Sequence, residues 1–274
     1  MAKIRIIQSQ LINFFQKEDV VEDQFTNLVK LLTENRIADN PNEMTLFFRM
    51  FVAITNNHGR FHSFSEKLCK ILHFYKNCLM NYSPKELLEL FGSNKRILLF
   101  IIENGILQVD NNFIKYILRK DRIIDQYLQY FMVEARPFLK EQWVLDELSS
   151  NYPELLESIK AEIPTNFQIN RTVGDNPDTI FQIIRNDSVE EFQAFLSNNS
   201  DLSTLFHPSM YETNRFLMSE INNGCTEMKS ITLIEYAAFF GSYQIMRYLH
   251  TNKVEITPSI WLYAVHSNNP EIIQ

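Results

Sequence analysis

Glycine is scarce in this chain, with six in 274 residues. The closest two, Gly92 and Gly105, stand thirteen positions apart. A phosphate-cradling loop needs several glycines within a few residues, so that backbone can approach the anion. Hence no Walker-type loop, no GxGxxG fingerprint and no GxSxG nucleophile elbow can be drawn. Cysteine is sparse as well. Cys69, Cys78 and Cys225 are odd in number and widely spaced, which is no disulfide framework. Long apolar runs are missing. None exceeds six residues, the length of Ile97–Ile102, which falls far short of the roughly 20 residues a bilayer requires. The start, MAKIRIIQSQ, has no long apolar core, and Ala2 stands where myristoylation needs glycine. These absences predict a cytoplasmic protein, with the nucleus also open to it.

Positive charge is in deficit too. The net charge is −7. Residues 1–165 carry 20 basic and 21 acidic side chains, a net of −1, and residues 166–274 carry 6 and 12, a net of −6. An acidic surface repels phosphate backbones and anionic lipid, so neither nucleic acid nor membrane is expected as a partner. A basic protein surface would be compatible.

What the chain does hold is apolar bulk: 45% hydrophobic residues, 22 Phe and 11 Tyr, ample for a core. The helical period dominates. Val21, Phe25, Leu28, Val29 and Leu32 fall on one helix face. Ser63-Phe64-Ser65-Glu66 and Ser83-Pro84-Lys85-Glu86 read as capping boxes, the second with Pro84 at the favoured first position. Gly92 and Gly105 each follow an apolar stretch, where a left-handed helix stop is expected. About fourteen helices of roughly 9–17 residues are predicted, with few strand patterns. Pro164–Asp178, rich in Pro, Asn, Asp and Gly, lacks helical period and marks a boundary. The predicted organisation is an N-terminal helical domain, 1–165, and a second domain, 166–274.

The second domain repeats itself. Tyr236-Ala237 aligns with Tyr263-Ala264, a spacing of 27 residues. Gly241 then falls on Asn268, and Ile245-Met246 on Ile272-Ile273. Asp187 stands 54 residues before Gly241, or two periods; the unit between, around Ser209–Asn223, is degenerate. Stacked pairs of short helices bury a continuous core that one pair cannot bury alone. Ala237 and Ala264 permit close approach, and Gly241 tolerates a left-handed turn.

The stretch TLIEYAAFFGSYQIMRYLHTNKVEI resembles an ankyrin repeat, with Thr232, Ala237, Ala238, Gly241, Ile245 and Leu249 on matching positions. It is more closely similar to a divergent, short-period ankyrin-like family expanded in some single-celled parasites. The resemblance covers 178–274 and reaches weakly to Asn94–Leu118. It implies an all-α helical-repeat solenoid that binds proteins, with no catalytic residues and no cofactor. Leu233 replaces the expected proline and Glu235 the expected histidine. The period of 27 falls short of the usual 33. The missing residues come from His250–Pro258, so the projecting finger is expected to be absent or stunted. The chain stops at Gln274, midway through the second helix of a repeat, so the last repeat is expected to be truncated and the chain to be the front of a longer array.

Other constellations give way to plainer readings. His58, His62, Cys69 and His73 have metal-like spacing, but Gly59 interrupts the first pair and no HExxH pattern forms. Cys69 with His73 offers the only local nucleophile–base pair, and a buried free thiol accounts for it. Glu190-Glu191 point about 100° apart on a helix and form a solvated face. The basic run Lys115, Arg119, Lys120 and Arg122 is broken by Asp121 and Asp125. Phe239 and Phe240 lie just before the turn glycine. The resemblance places them on the concave side of the first helix, where two aromatics would form a protein-binding site; packing against the preceding unit is the other reading. His266 and Ser267 are the equivalent positions one repeat later. A protein partner is therefore expected, through Phe239, Phe240, His266 and Ser267, with no metal and no small-molecule substrate evident. An enzyme or adaptor subunit acting through 1–165, or a structural spacer, remain alternatives.

Overall fold

The computed structural model describes the whole chain except residues 1, 19–21, 120–122, 197–201, 203–204, 223–224, 268 and 274. Val21, Lys120, Asp121, Arg122, Asn223, Asn268 and Gln274, invoked above, thus lie outside the described residues. The protein is mainly helical. Its α-helices are α1 (Ala2–Phe15), α2 (Glu22–Glu34), α3 (Pro41–Asn57), α4 (Phe64–Phe74), α5 (Lys76–Leu79), α6 (Pro84–Phe91), α7 (Lys95–Glu103), α8 (Asn111–Leu118), α9 (Ile124–Tyr130) and α10 (Met132–Ala135). They continue as α11 (Gln142–Asn151), α12 (Pro153–Lys160), α13 (Phe167–Val173), α14 (Thr179–Arg185), α15 (Val189–Leu196), α16 (Arg215–Met218), α17 (Leu233–Phe240), α18 (Tyr243–Thr251), α19 (Ile260–Ser267) and α20 (Pro270–Ile273). Most are ten residues or shorter, and they outnumber the fourteen predicted. The cause is visible at Tyr75 and Phe131. The backbone leaves the helical region there (ψ of 14° and 25°) while the apolar period runs on, so one pattern covers two helices. Two small antiparallel or paired strand sets also form: β1 (Leu205–Phe206) pairs antiparallel with β4 (Ile231–Thr232), and β2 (Ser219–Asn222) pairs with β3 (Cys225–Met228).

The chain divides into two compact units. One comprises 1–175 with 210–227; the other comprises 176–209 with 228–274. This differs from a simple cut at 165/166. The expected linker contains α13, whose Phe167 and Arg171, one helical turn apart, are buried. Phe167 packs at 5.8 Å from Tyr211, and Arg171 forms an ion pair with Glu134 at 2.7 Å. The segment read as a degenerate repeat belongs to the first unit. Thr213 N–H donates to the Gly174 carbonyl at 3.0 Å, and Asn214 Nδ2 donates to the Gly59 carbonyl at 3.1 Å.

The first unit is packed on aromatic rings. Phe15 lies 5.0 Å from Phe64 and 6.0 Å from Phe51, and Phe48 lies 5.2 Å from Phe91. The apolar run Ile97–Ile102 falls on α7, buried from Lys95 through Ile101, which explains why it is apolar on every face. Ser83 and Glu86 form the expected capping box, with Pro84 in the first turn. Ser63 does not. Its backbone is helical, its hydroxyl donates to the Glu18 carbonyl, and no cap bond forms. Gly105 takes the expected left-handed backbone (φ +67°). Gly92 does not, at φ −63°. It is glycine for space: a Cβ there would stand 1.7 Å from the Tyr116 hydroxyl.

In the second unit α14 packs against α17 and α17 against α19, while α15 packs against α18. Asp187 (φ +50°) and Gly241 (φ +81°) both take the left-handed conformation, as their 54-residue spacing predicts. Ala237 and Ala264 are buried in the α17–α19 contact. Thr232 and Glu235 cap α17 reciprocally, and the Ser259 hydroxyl donates to Glu235 at 2.5 Å. That bond ties the cap of α17 to the residue just before α19. No strand is found among the described residues of His250–Pro258.

Candidate functional site

Helix α19 reads IWLYAVHS and carries apolar residues all round. Ile260, Tyr263, Ala264 and Ser267 form one stripe at i, i+3, i+4 and i+7, and this stripe is buried. It packs on α17. Trp261, Leu262 and Val265 point the other way and are 56%, 57% and 66% exposed. Helix α17, LIEYAAFF, has the same all-round apolarity, but it is enclosed from Leu233 to Phe239. A helix apolar on every side belongs in an interior. Moved back by 27 residues, the three exposed positions fall on Ile234, Glu235 and Ala238, all buried. Among the described residues, the matching face of α19 is left exposed. Nothing in the helix is a carboxylate, and Ile256 and Ile273 add exposed apolar surface within the same unit. Trp261, Leu262 and Val265, at i, i+1 and i+4, share one exposed apolar helix face.

The predicted contact residues lie elsewhere. Phe239 is fully buried, packed 5.1 Å from Phe240 and 6.0 Å from His266. Phe240 is half-buried, its ring tilted against Tyr236 at 4.6 Å, with the Arg185 guanidinium 5.9 Å from its centroid. Arg185 also donates to the Tyr236 hydroxyl at 2.7 Å. Phe240 thus packs against α14, the helix before it, and Phe239 against α19, so Phe239 is core rather than contact surface. His266 is half-buried. Ser267 is buried, its hydroxyl donating to the Ala264 carbonyl at 2.7 Å. A water-inaccessible Phe239 and Ser267 cannot meet a partner while the unit is folded. Sequence reasoning missed Trp261, Leu262 and Val265, although the 27-residue alignment already sets them on enclosed positions.

The first unit holds buried cations that composition alone did not reveal. Lys95 is fully buried; its Nζ donates to the Met210 carbonyl at 2.7 Å and to Gln126 Oε1 at 3.2 Å, and lies 5.1 Å over the Tyr130 ring. Burial pulls its pKa down to about 7, against the pull of Glu212. Burial pushes the Tyr127 and Tyr130 hydroxyls up. Arg96 donates from Nε to Ser65 at 2.8 Å and from Nη2 to Cys69 Sγ at 2.9 Å. Burial holds the Cys69 thiol above its ordinary value despite Arg96, and a protonated thiol is a weak nucleophile. His73, its proposed base, packs its ring on Phe100 at 4.7 Å. Burial, then Arg60, keeps His58 below its ordinary pKa. Among the described residues no three His, Cys, Asp or Glu side chains gather at metal-binding distance, and no helix is long and apolar enough to cross a membrane.

A groove of about 650 Å³ opens between α1 and α2, lined by both helices. Comparison of the chain with models of protein families, with curated proteins and with solved structures gave no match.

Proposed function

We propose that this chain is a non-enzymatic protein-interaction scaffold whose second unit is a short solenoid of ankyrin-like helix pairs. The order α14, α17, α19, the left-handed turns at Asp187 and Gly241, and the Thr232–Glu235 cap all support that reading. The observation that carries the binding function is the open face of α19: Trp261, Leu262 and Val265 are exposed where Ile234, Glu235 and Ala238 are enclosed. Trp261, Leu262 and Val265 carry no charge, and Trp is a frequent energetic anchor of interfaces. The partner that fits presents an apolar helix face, as α19 does to α17.

The test is Trp261→Glu combined with Val265→Glu in the full chain, followed by crosslinked recovery of bound proteins from cells. The expected result is loss of the recovered partner with helicity and Tm retained. Undiminished recovery by the folded double variant would sink this site.

A further inference from the structure

A second surface is independent of the α19 face and has different chemistry. On α1, Ile6, Gln10 and Asn13 recur at i, i+4 and i+7, a single helical stripe, and Lys17 follows just past the helix end. On α2, Gln24, Asn27, Leu28 and Leu31 form the facing stripe. The groove between them has an apolar floor, with Phe14 and Leu28 nearly enclosed and Leu31 half-buried. Its walls carry four primary amides, two from each helix. None of the four side chains is engaged by another described residue, although neighbouring amides of the unit, such as Asn35 and Asn57, bond to helix carbonyls. Lys17 is the one charged side chain in the lining.

A primary amide offers both donors and an acceptor. That is the complement of a peptide unit, which carries one N–H and one C=O. Amides on both walls therefore match a chain that presents backbone groups to both sides. An extended strand does so; a helix does not, because its own ladder uses those groups. A helix laid in this groove could meet the four amides only through side chains of its own. A sugar would need an exposed ring to stack on, and the lining aromatic, Phe14, is enclosed. A polyanion would need more than Lys17. The α1 stripe from Ile6 to Asn13 runs about 10 Å at 1.5 Å per residue. An extended chain rises about 3.3 Å per residue, so about three residues span it.

We propose that the α1–α2 groove binds an extended peptide segment of another protein, held through its backbone by Gln10, Asn13, Gln24 and Asn27 over an apolar floor. The α19 face plays no part in it. The probe is a displayed library of random seven-residue peptides panned on the full chain, with enriched peptides titrated by fluorescence anisotropy. Three results are expected together. Asn13→Ala with Asn27→Ala, both on exposed positions, lowers affinity at least tenfold with helicity unchanged. Backbone N-methylation of the peptide at alternate residues gives a comparable loss against the native chain. Trp261→Glu with Val265→Glu leaves peptide binding unchanged. The proposal is overturned by failure to enrich any peptide, by undiminished binding to the double-alanine chain, by indifference to N-methylation, or by loss of binding in the α19 variant.

Discussion

Phe239 separates a core aromatic from an interface aromatic better than any other residue. It is fully enclosed, so Phe239→Ala leaves a cavity and removes buried area, at about 3–5 kcal/mol. Chemical denaturation should register that loss, whereas Trp261→Ala on the open face should move the midpoint little. Lys95 makes a prediction in pH. Its folded pKa is about 7 and its ordinary value 10.5. Between those limits the unfolded chain holds a proton that the folded chain has released. Stability should therefore rise as pH climbs from about 7 toward 10 and be flat in this respect below 7. Tyr127 and Tyr130, pushed up by burial, act in the opposite sense only above their ordinary value of 10. Urea midpoints at pH 7.5 and 9.5 should show the rise in the native chain and a smaller one in Lys95→Met; equal slopes would refute the assignment. Gly92 and Gly105 give a matched pair. Gly92→Ala drives a methyl into Tyr116 and the Leu88 carbonyl and should cost more than Gly105→Ala, where nothing lies within 4 Å and only the left-handed backbone, about 1–2 kcal/mol, opposes it. A thermal melt of the two variants decides the order.

At the scale of helices, the second unit is tied together at its turns. The Asp187 carboxylate accepts from the Gln244 and Ile245 amides at 3.1 and 3.0 Å, so one helix pair caps the second helix of the next. Ser242 donates to the Ile184 carbonyl at 2.5 Å, and Asn269 Nδ2 to the Gly241 carbonyl at 3.0 Å. Asp187→Ala removes the cap and puts a methyl-bearing residue at positive φ, and should lower stability by about 1–3 kcal/mol. Asp187→Asn, which keeps an acceptor and tolerates that φ, should recover most of it in the same denaturation assay. These ties also show what a sequence exposes to reading. The 27-residue spacing located Ala237, Ala264, Gly241 and even the aspartate at 187, because each answers a local backbone or packing need. Ser83-Pro84-Lys85-Glu86 was legible for the same reason. Ser63-Phe64-Ser65-Glu66 carries similar letters, but the Ser63 hydroxyl is taken by Glu18, 45 residues away, and no local pattern reports that. The exposure of Phe239 is likewise a property of neighbours: Phe240 on its own helix and His266 on α19 pack against it. The alignment could have placed Trp261 on an enclosed position, yet only the structure shows that nothing in the chain encloses it among the described residues.

On the scale of the whole molecule, the partition is discontinuous in sequence. Residues 210–227 complete the first unit after an excursion through 176–209. Lys95 finds its carbonyl partner at Met210, and Gly59 and Gly174 accept from Asn214 and Thr213. Residues 1–175 expressed alone should therefore melt lower than the matching transition of the full chain, and a peptide of residues 210–227 added in trans should raise that melting point. No change on addition would mean that the returning segment contributes nothing to the first unit. The chain passes between its units three times, after 175, 209 and 227. On a ribosome this imposes a waiting period. The N-terminal helices emerge first but cannot close over Lys95 until more than two hundred residues have been synthesised, and the first helix pair of the second unit must meanwhile wait for α17. Codon usage or chaperone occupancy across 176–227 should thus affect the yield of folded protein more than equal changes near either end.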